Sequence, residues 1–274
     1  MIEATASGYV ASLPMYDWPE VRRETDTLWQ TLADTFRDHG LDPPRRLLRR
    51  RRIDAVWQDP RLLLAQTCGL PYVRALRSAV RLIATPCYDV PGCDGPQYRS
   101  LVVARRGGRV RSLDDLRGKR VAYNASHSQS GYSALRGRLA PLVGGRRYFR
   151  GALRTGSHRA SLKAVAGGRA DVCAVDAVCW ALARRHERAA TSKLVVLEET
   201  PLTPGLPLIA SGTRSAAEVR RIRAAVLEAL NDRLDDRVRK ALFLGGAEVL
   251  RPSDYDAIVE MEESAIEAGY PHLQ

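Results

Sequence analysis

Lysine is nearly missing from this chain. Of its 43 basic residues, only Lys119, Lys163, Lys193 and Lys240 are lysines. The rest are arginines, so the net charge of +12 and the pI near 9.9 reflect an arginine- and alanine-rich composition more than a built polycation. The field still draws anions of any kind. A nucleic-acid-associated regulatory role on the six arginines between Arg45 and Arg52 is an alternative reading. No zinc-finger spacing, RNP signature or glycine-rich nucleotide loop accompanies it. Long apolar runs are also absent, none approaching the ~18 residues of a membrane span. The first thirty residues lack the basic start, apolar stretch and small-residue cleavage site of a secretory signal. The expected location is therefore cytoplasmic as written, or periplasmic if a leader has been trimmed.

Cysteine is scarce and odd in number: Cys68, Cys87, Cys93, Cys173 and Cys179. That pattern predicts free thiols, with a Cys87–Cys93 bridge left open. No Cys-x-x-Cys or paired His-Cys spacing occurs, so neither metal nor cofactor is expected. Nor is there a Gly-x-Ser-x-Gly elbow. A hydrolase built on Ser157, His158 and Asp176 is thus only a minor alternative, since adjacent helical residues 157 and 158 point apart. The expectation is that the protein is not an enzyme.

What is present is an alternation of strand-like and helix-like segments, which predicts an α/β fold with mostly parallel sheets. Strands are expected at 8–13, 80–84, 101–104, 119–123, 148–153, 171–175, 193–197 and 208–210. Helices are expected at 19–39, 130–140, 157–166 and 176–187, and three more fill 215–269. A central block, 98–204, is bracketed by the blocks 1–97 and 205–274. If the flanking blocks pack together, two lobes result, with a ligand cleft between them and a hinge.

Three turns join a strand end to a helix start. Ser126 to Ser130 crowds hydroxyls and amides at a helix N-terminus, where free N–H groups and the dipole seat an anion. His158 follows Ser157 in a second such turn. Asp176 ends a buried strand, where open α/β sheets place ligand groups.

With these turns, the order of Tyr98-Arg99-Ser100, Ser112 to Arg120 (SLDDLRGKR), Ser128-Gln129-Ser130-Gly131-Tyr132, Thr155-Gly156-Ser157-His158, Gly168-Arg169-Ala170-Asp171 and Thr200 to Pro207 resembles one family. It is the phosphate/phosphite/phosphonate substrate-binding proteins of periplasmic-binding-protein type 2 fold, related to phosphonate ABC importers. The resemblance spans nearly the whole chain. It implies a solute-binding protein that closes on a small oxyanion, held by Ser128, Gln129, Ser130 and His158. Tyr98 would be a further contact at the hinge, and an ABC permease the partner if the protein is exported. Asp176 lies near the place where aminoalkylphosphonate binders put an acid for the amine. Two departures stand out: Leu206 replaces a carboxylate and Gln129 replaces a threonine.

Overall fold

The computed structural model describes residues 8–144 and 147–273. In chain order the strands are β1 (Val10–Ser12), β2 (Leu62–Gln66), β3 (Val80–Tyr88), β4 (Ser100–Arg105), β5 (Arg120–Tyr123), β6 (Gly151–Arg154), β7 (Val172–Asp176), β8 (Leu194–Glu199), β9 (Leu208–Ser211) and β10 (Leu244–Glu248). The longer helices are α1 (Arg22–Asp38), α2 (Ala134–Val143), α3 (His158–Ala166), α4 (Ala177–His186), α5 (Ala216–Glu228) and α6 (Asp256–Glu267). They group into two units. Unit 1 takes in the described residues through Asp89, Asp94–Pro96 and Pro204–Asp254; unit 2 takes in Val90–Cys93, Gln97–Thr203 and Tyr255 onward.

Unit 1 holds a five-stranded sheet in the order β1-β2-β9-β3-β10. Helix α1 is amphipathic and buries Leu28, Trp29, Leu32 and Phe36, which recur at helical spacing. Strand β2, Leu62-Leu63-Leu64-Ala65-Gln66, is buried at every position. Such a run has no alternation to betray it, because both its faces are covered. It was not among the expected strands, and neither was β10, which interrupts the helices expected over 215–269. Pairing with β10 also carries β3 through Pro86, which lies opposite Ala247, to Tyr88.

The arginine run is not a bare basic face. Arg49 bonds Asp17 and Asp26, and Arg51 bonds Asp59, while Leu47 is buried. Asp59 is buried, and hydrogen bonds from Arg61 above all hold its carboxyl well below the usual carboxylate range. A folded-state value below the unfolded one gives stability that is present above about pH 4 and is lost on acidification. Urea unfolding between about pH 5 and 2 should therefore show a shallower acid loss in Asp59→Asn than in the wild type. Equal slopes would mean that Asp59 is not the acid-sensitive group.

Unit 2 holds a second five-stranded sheet, β8-β4-β7-β5-β6. Strand β5 runs parallel to β6 and β7, whereas β4 is antiparallel to β7 and β8. Both sheets are thus mixed rather than mostly parallel. The α/β class holds, but several strands return directly without a crossover helix.

The core of unit 2 gathers Val102, Val121, Leu135, Leu139, Tyr148, Phe149 and Val172 with Ala265, Tyr270 and Leu273. This corrects the expected division, which grouped all of 205–274 with the N-terminal block. Three local facts explain why the C-terminal segment joins unit 2. Gly137 on α2 leaves room for Met261, since a Cβ there would lie 2.6 Å from Met261 Cγ. The buried Arg136 guanidinium donates to the Pro271 carbonyl and pairs with Glu262 at 3.3 Å. Tyr132 Oη accepts from the Leu273 N–H.

Candidate functional site

The parallel strands β5, β6 and β7 end at Tyr123, Arg154 and Asp176, and each feeds a turn and then a helix. Three helix N-termini therefore lie at one carboxyl edge of the unit 2 sheet. Strand β5 leads to β6 on one side, while β7, its neighbour on the other side, is followed by connections in the opposite direction. That is the switch point at which open α/β sheets take ligands.

The first two turns are tied together. The Tyr123 carbonyl accepts from the N–H and hydroxyl of Thr155, and the Asn124 carbonyl accepts from Gly156 N. Ser128 Oγ accepts from Gly131 N at 3.0 Å, capping a π-helical turn, Gln129–Ser133, that runs on into α2. Such widened turns occur often at functional sites. Gly131 is dictated by space: a Cβ would sit 2.0 Å from Asn124 Oδ1 and 3.0 Å from His158 Cε1.

Of the six expected residues, the structure brings three together around one ring nitrogen. Ser130 Oγ lies 3.0 Å from His158 Nε2, and the same nitrogen lies 3.5 Å from Asp176 Oδ2. All three are buried. Burial, the largest effect, pushes the His158 imidazole below its usual range; the Asp176 carboxylate and the Ala174 backbone oppose this. Asp176 Oδ1 also accepts from Cys179 N at 2.6 Å and caps α4.

The other three take different places. Ser128 spends its oxygen on the cap. Gln129 is fully buried, with Nε2 3.5 Å from Met261 Sδ. Tyr98 is buried two residues before Ser100, which pairs opposite Asp176.

Ser157 is exposed and caps α3 by accepting from Ala160 N, so the Ser157/His158/Asp176 triad is not assembled. Ser130 stands at His158 instead, but it and Asp176 meet the same ring nitrogen. A relay through both nitrogens, which a Ser-His-Asp nucleophile requires, is not formed. Asn124 and Gly131 lie inside the turn that the sequence singles out but carry no expected role there; the tight fit between the two turns gives them one.

The family model described as "ABC transporter, phosphonate, periplasmic substrate-binding protein" matches residues 60–262. The chain belongs to this family. A comparison with curated proteins found no match. Among solved structures, the chain is similar to PhnD1 from Prochlorococcus marinus in complex with methylphosphonate, at 17% identity and a TM-score of 0.76, covering 95% of this chain and 99% of that one. It is also similar to PA3383, a binding protein component of an ABC phosphonate transporter from Pseudomonas aeruginosa, at 16% identity and a TM-score of 0.74, covering 96% and 88%. A third is XAC2383 from Xanthomonas citri bound to ATP, at 18% identity and a TM-score of 0.70, covering 98% and 100%.

At these identities the structures show the shared fold, that of two-lobed periplasmic binding proteins. Members of the phosphonate-binding family are solute-binding components of a transporter, not enzymes, and serve a small ligand and a membrane permease. The family is periplasmic, so the cytoplasmic expectation finds no support in it. Among the described residues no helix is long and apolar enough to cross a membrane. Among the described residues no disulfide joins any of the five cysteines.

Proposed function

We propose that the chain binds a small oxyanion of the phosphonate, phosphate or phosphite class at the Ser128–Ser130 turn of unit 2, with His158 positioning the Ser130 hydroxyl. The observation that carries this reading is the Ser130–His158 hydrogen bond at the edge where three helices begin. A neutral imidazole donates its Nε2 proton to Ser130 Oγ, which turns the Ser130 O–H outward to donate to the ligand. First-turn N–H groups, which have no acceptor within their own helix, supply the remaining donors, and the helix dipole favours their anionic partner. Neutral donors can release what they bind; a buried arginine pair would hold it by charge-assisted bonds.

Thermal shift with phosphate, phosphite, methylphosphonate and 2-aminoethylphosphonate tests the reading, with sulfate as the comparison anion. A ligand at ~100 times its dissociation constant adds about 2.7 kcal/mol, an easily read rise in melting temperature. No rise with any phosphorus oxyanion would refute the proposal. A rise with the amino compound alone would make Asp176 the amine partner, despite the apolar Leu206.

A further inference from the structure

Asp176 is a buried carboxylate that the oxyanion reading leaves without a cation. Its side chain is 3% exposed, and among the described residues its partners are the His158 ring and Cys179, with no lysine or arginine. A buried carboxylate with no cation costs free energy that a helix N-terminus offsets only in part. Cys179, one turn into α4, is itself buried, and its thiol lies within hydrogen-bonding reach of the same carboxylate. One donor atom each from His158, Asp176 and Cys179 lies within 4.8 Å of the other two.

We propose that His158, Asp176 and Cys179 form a binding site for a soft divalent cation of the zinc or cadmium class. An imidazole, a carboxylate and a thiolate are the donor types such ions select. With ligand bonds of about 2.0–2.3 Å, tetrahedral donors stand about 3.3–3.8 Å apart. The 3.5 Å between His158 Nε2 and Asp176 Oδ2 already has that spacing, and side-chain rotation of about 1 Å brings in the sulfur. A dication with one carboxylate, one thiolate and a neutral imidazole is uncharged overall, the condition under which burying it is cheapest. Binding exchanges the thiol proton for the metal, R–SH + M²⁺ → R–S–M⁺ + H⁺, so one proton leaves with each metal bound. The spacing rules of sequence reading miss this set because His158 and the Asp176/Cys179 pair come from different helices.

The site shares His158 Nε2 with the oxyanion proposal, since that nitrogen cannot both bind a metal and donate a proton to Ser130, so metal and oxyanion binding are tested on separate samples and the two readings can fail separately. Metal-stripped protein is titrated with cadmium, following the ultraviolet thiolate-to-metal charge-transfer band, and with zinc by calorimetry in two buffers to count protons. One equivalent is expected to give the band with release of about one proton. Cys179→Ser should weaken zinc by about a hundredfold or more and remove the band, while keeping the wild-type melting response to oxyanions. Cys173→Ala, which removes a buried thiol outside the cluster, should leave metal binding intact. An absent band in the wild type, or an equal band in Cys179→Ser, overturns the site. Metal binding without any oxyanion response would uphold this site and reject the anion seat. Should Cys179→Ser not fold, Asp176→Asn provides the same comparison of metal affinity.

Discussion

Ser130→Ala is expected to weaken binding of a phosphorus oxyanion by about ten- to a hundredfold. A hydrogen bond to a charged oxygen is worth about 1.5–3 kcal/mol, and 1.4 kcal/mol is tenfold. The unliganded protein should lose only about 1 kcal/mol, the ordinary worth of one internal hydrogen bond, here the one between Ser130 and His158. His158→Ala should lower affinity comparably, although His158 touches the ligand only through Ser130 in this arrangement. The two effects should then fail to add: the double variant should bind about as weakly as either single one. Titration calorimetry with the best oxyanion of the panel decides the matter. Full additivity would show that His158 contacts the ligand independently, and wild-type affinity in Ser130→Ala would remove the turn from the site.

Gly131→Ala is expected to damage the site and the fold together. The added methyl would stand 2.0 Å from Asn124 Oδ1, a buried atom on a residue whose backbone carbonyl is tied to the second turn, and 3.0 Å from the His158 ring. Overpacking of this kind costs about 1–3 kcal/mol, more than the ~1 kcal/mol that alanine gains over glycine in a helix. To relieve the clash, Asn124 or the π-helical turn must shift, and Ser130 shifts with it. Lower stability and a lost oxyanion response should therefore appear together. Gly137→Ala is the internal comparison. Its methyl meets Met261 Cγ at 2.6 Å and presses on the contact that docks α6, so stability should fall by a similar ~1–3 kcal/mol while the oxyanion response survives. A Gly131→Ala protein with wild-type melting and binding would show that the two turns are not mutually constrained.

The local chemistry of the site was legible in the sequence; its company was not. Ser128, Ser157 and Asp176 each carry the residue type that caps a helix after a strand, and each does cap one. Which serine meets His158 depends on side-chain direction. Ser157 is adjacent in sequence yet faces solvent, while Ser130, 28 residues earlier, arrives through the pairing of β5 with β6. Strand β2 escaped notice because burial on both faces erases the period that marks a strand. The sequence order groups the C-terminal segment with unit 1 for a related reason. Ile258 and Ala265 on α6 announce a buried stripe, but a stripe does not name the surface that covers it. That choice was made by Gly137 and Arg136, more than a hundred residues upstream.

The same arrangement sets a timetable for synthesis. A ribosome delivers the chain from its N-terminus, and domains gather as their pieces emerge. Unit 1 can close once residue 254 is out. Unit 2 has its strands and its capped helices long before that, yet the Arg136 guanidinium waits for the Pro271 carbonyl, and the apolar flank of α2 waits for Met261, Tyr270 and Leu273. The half of the molecule that holds the proposed oxyanion turn is begun before unit 1's last segment is made, and it is the last to be finished. For that interval its α2 surface and a buried-to-be arginine stand open to solvent and to chaperones.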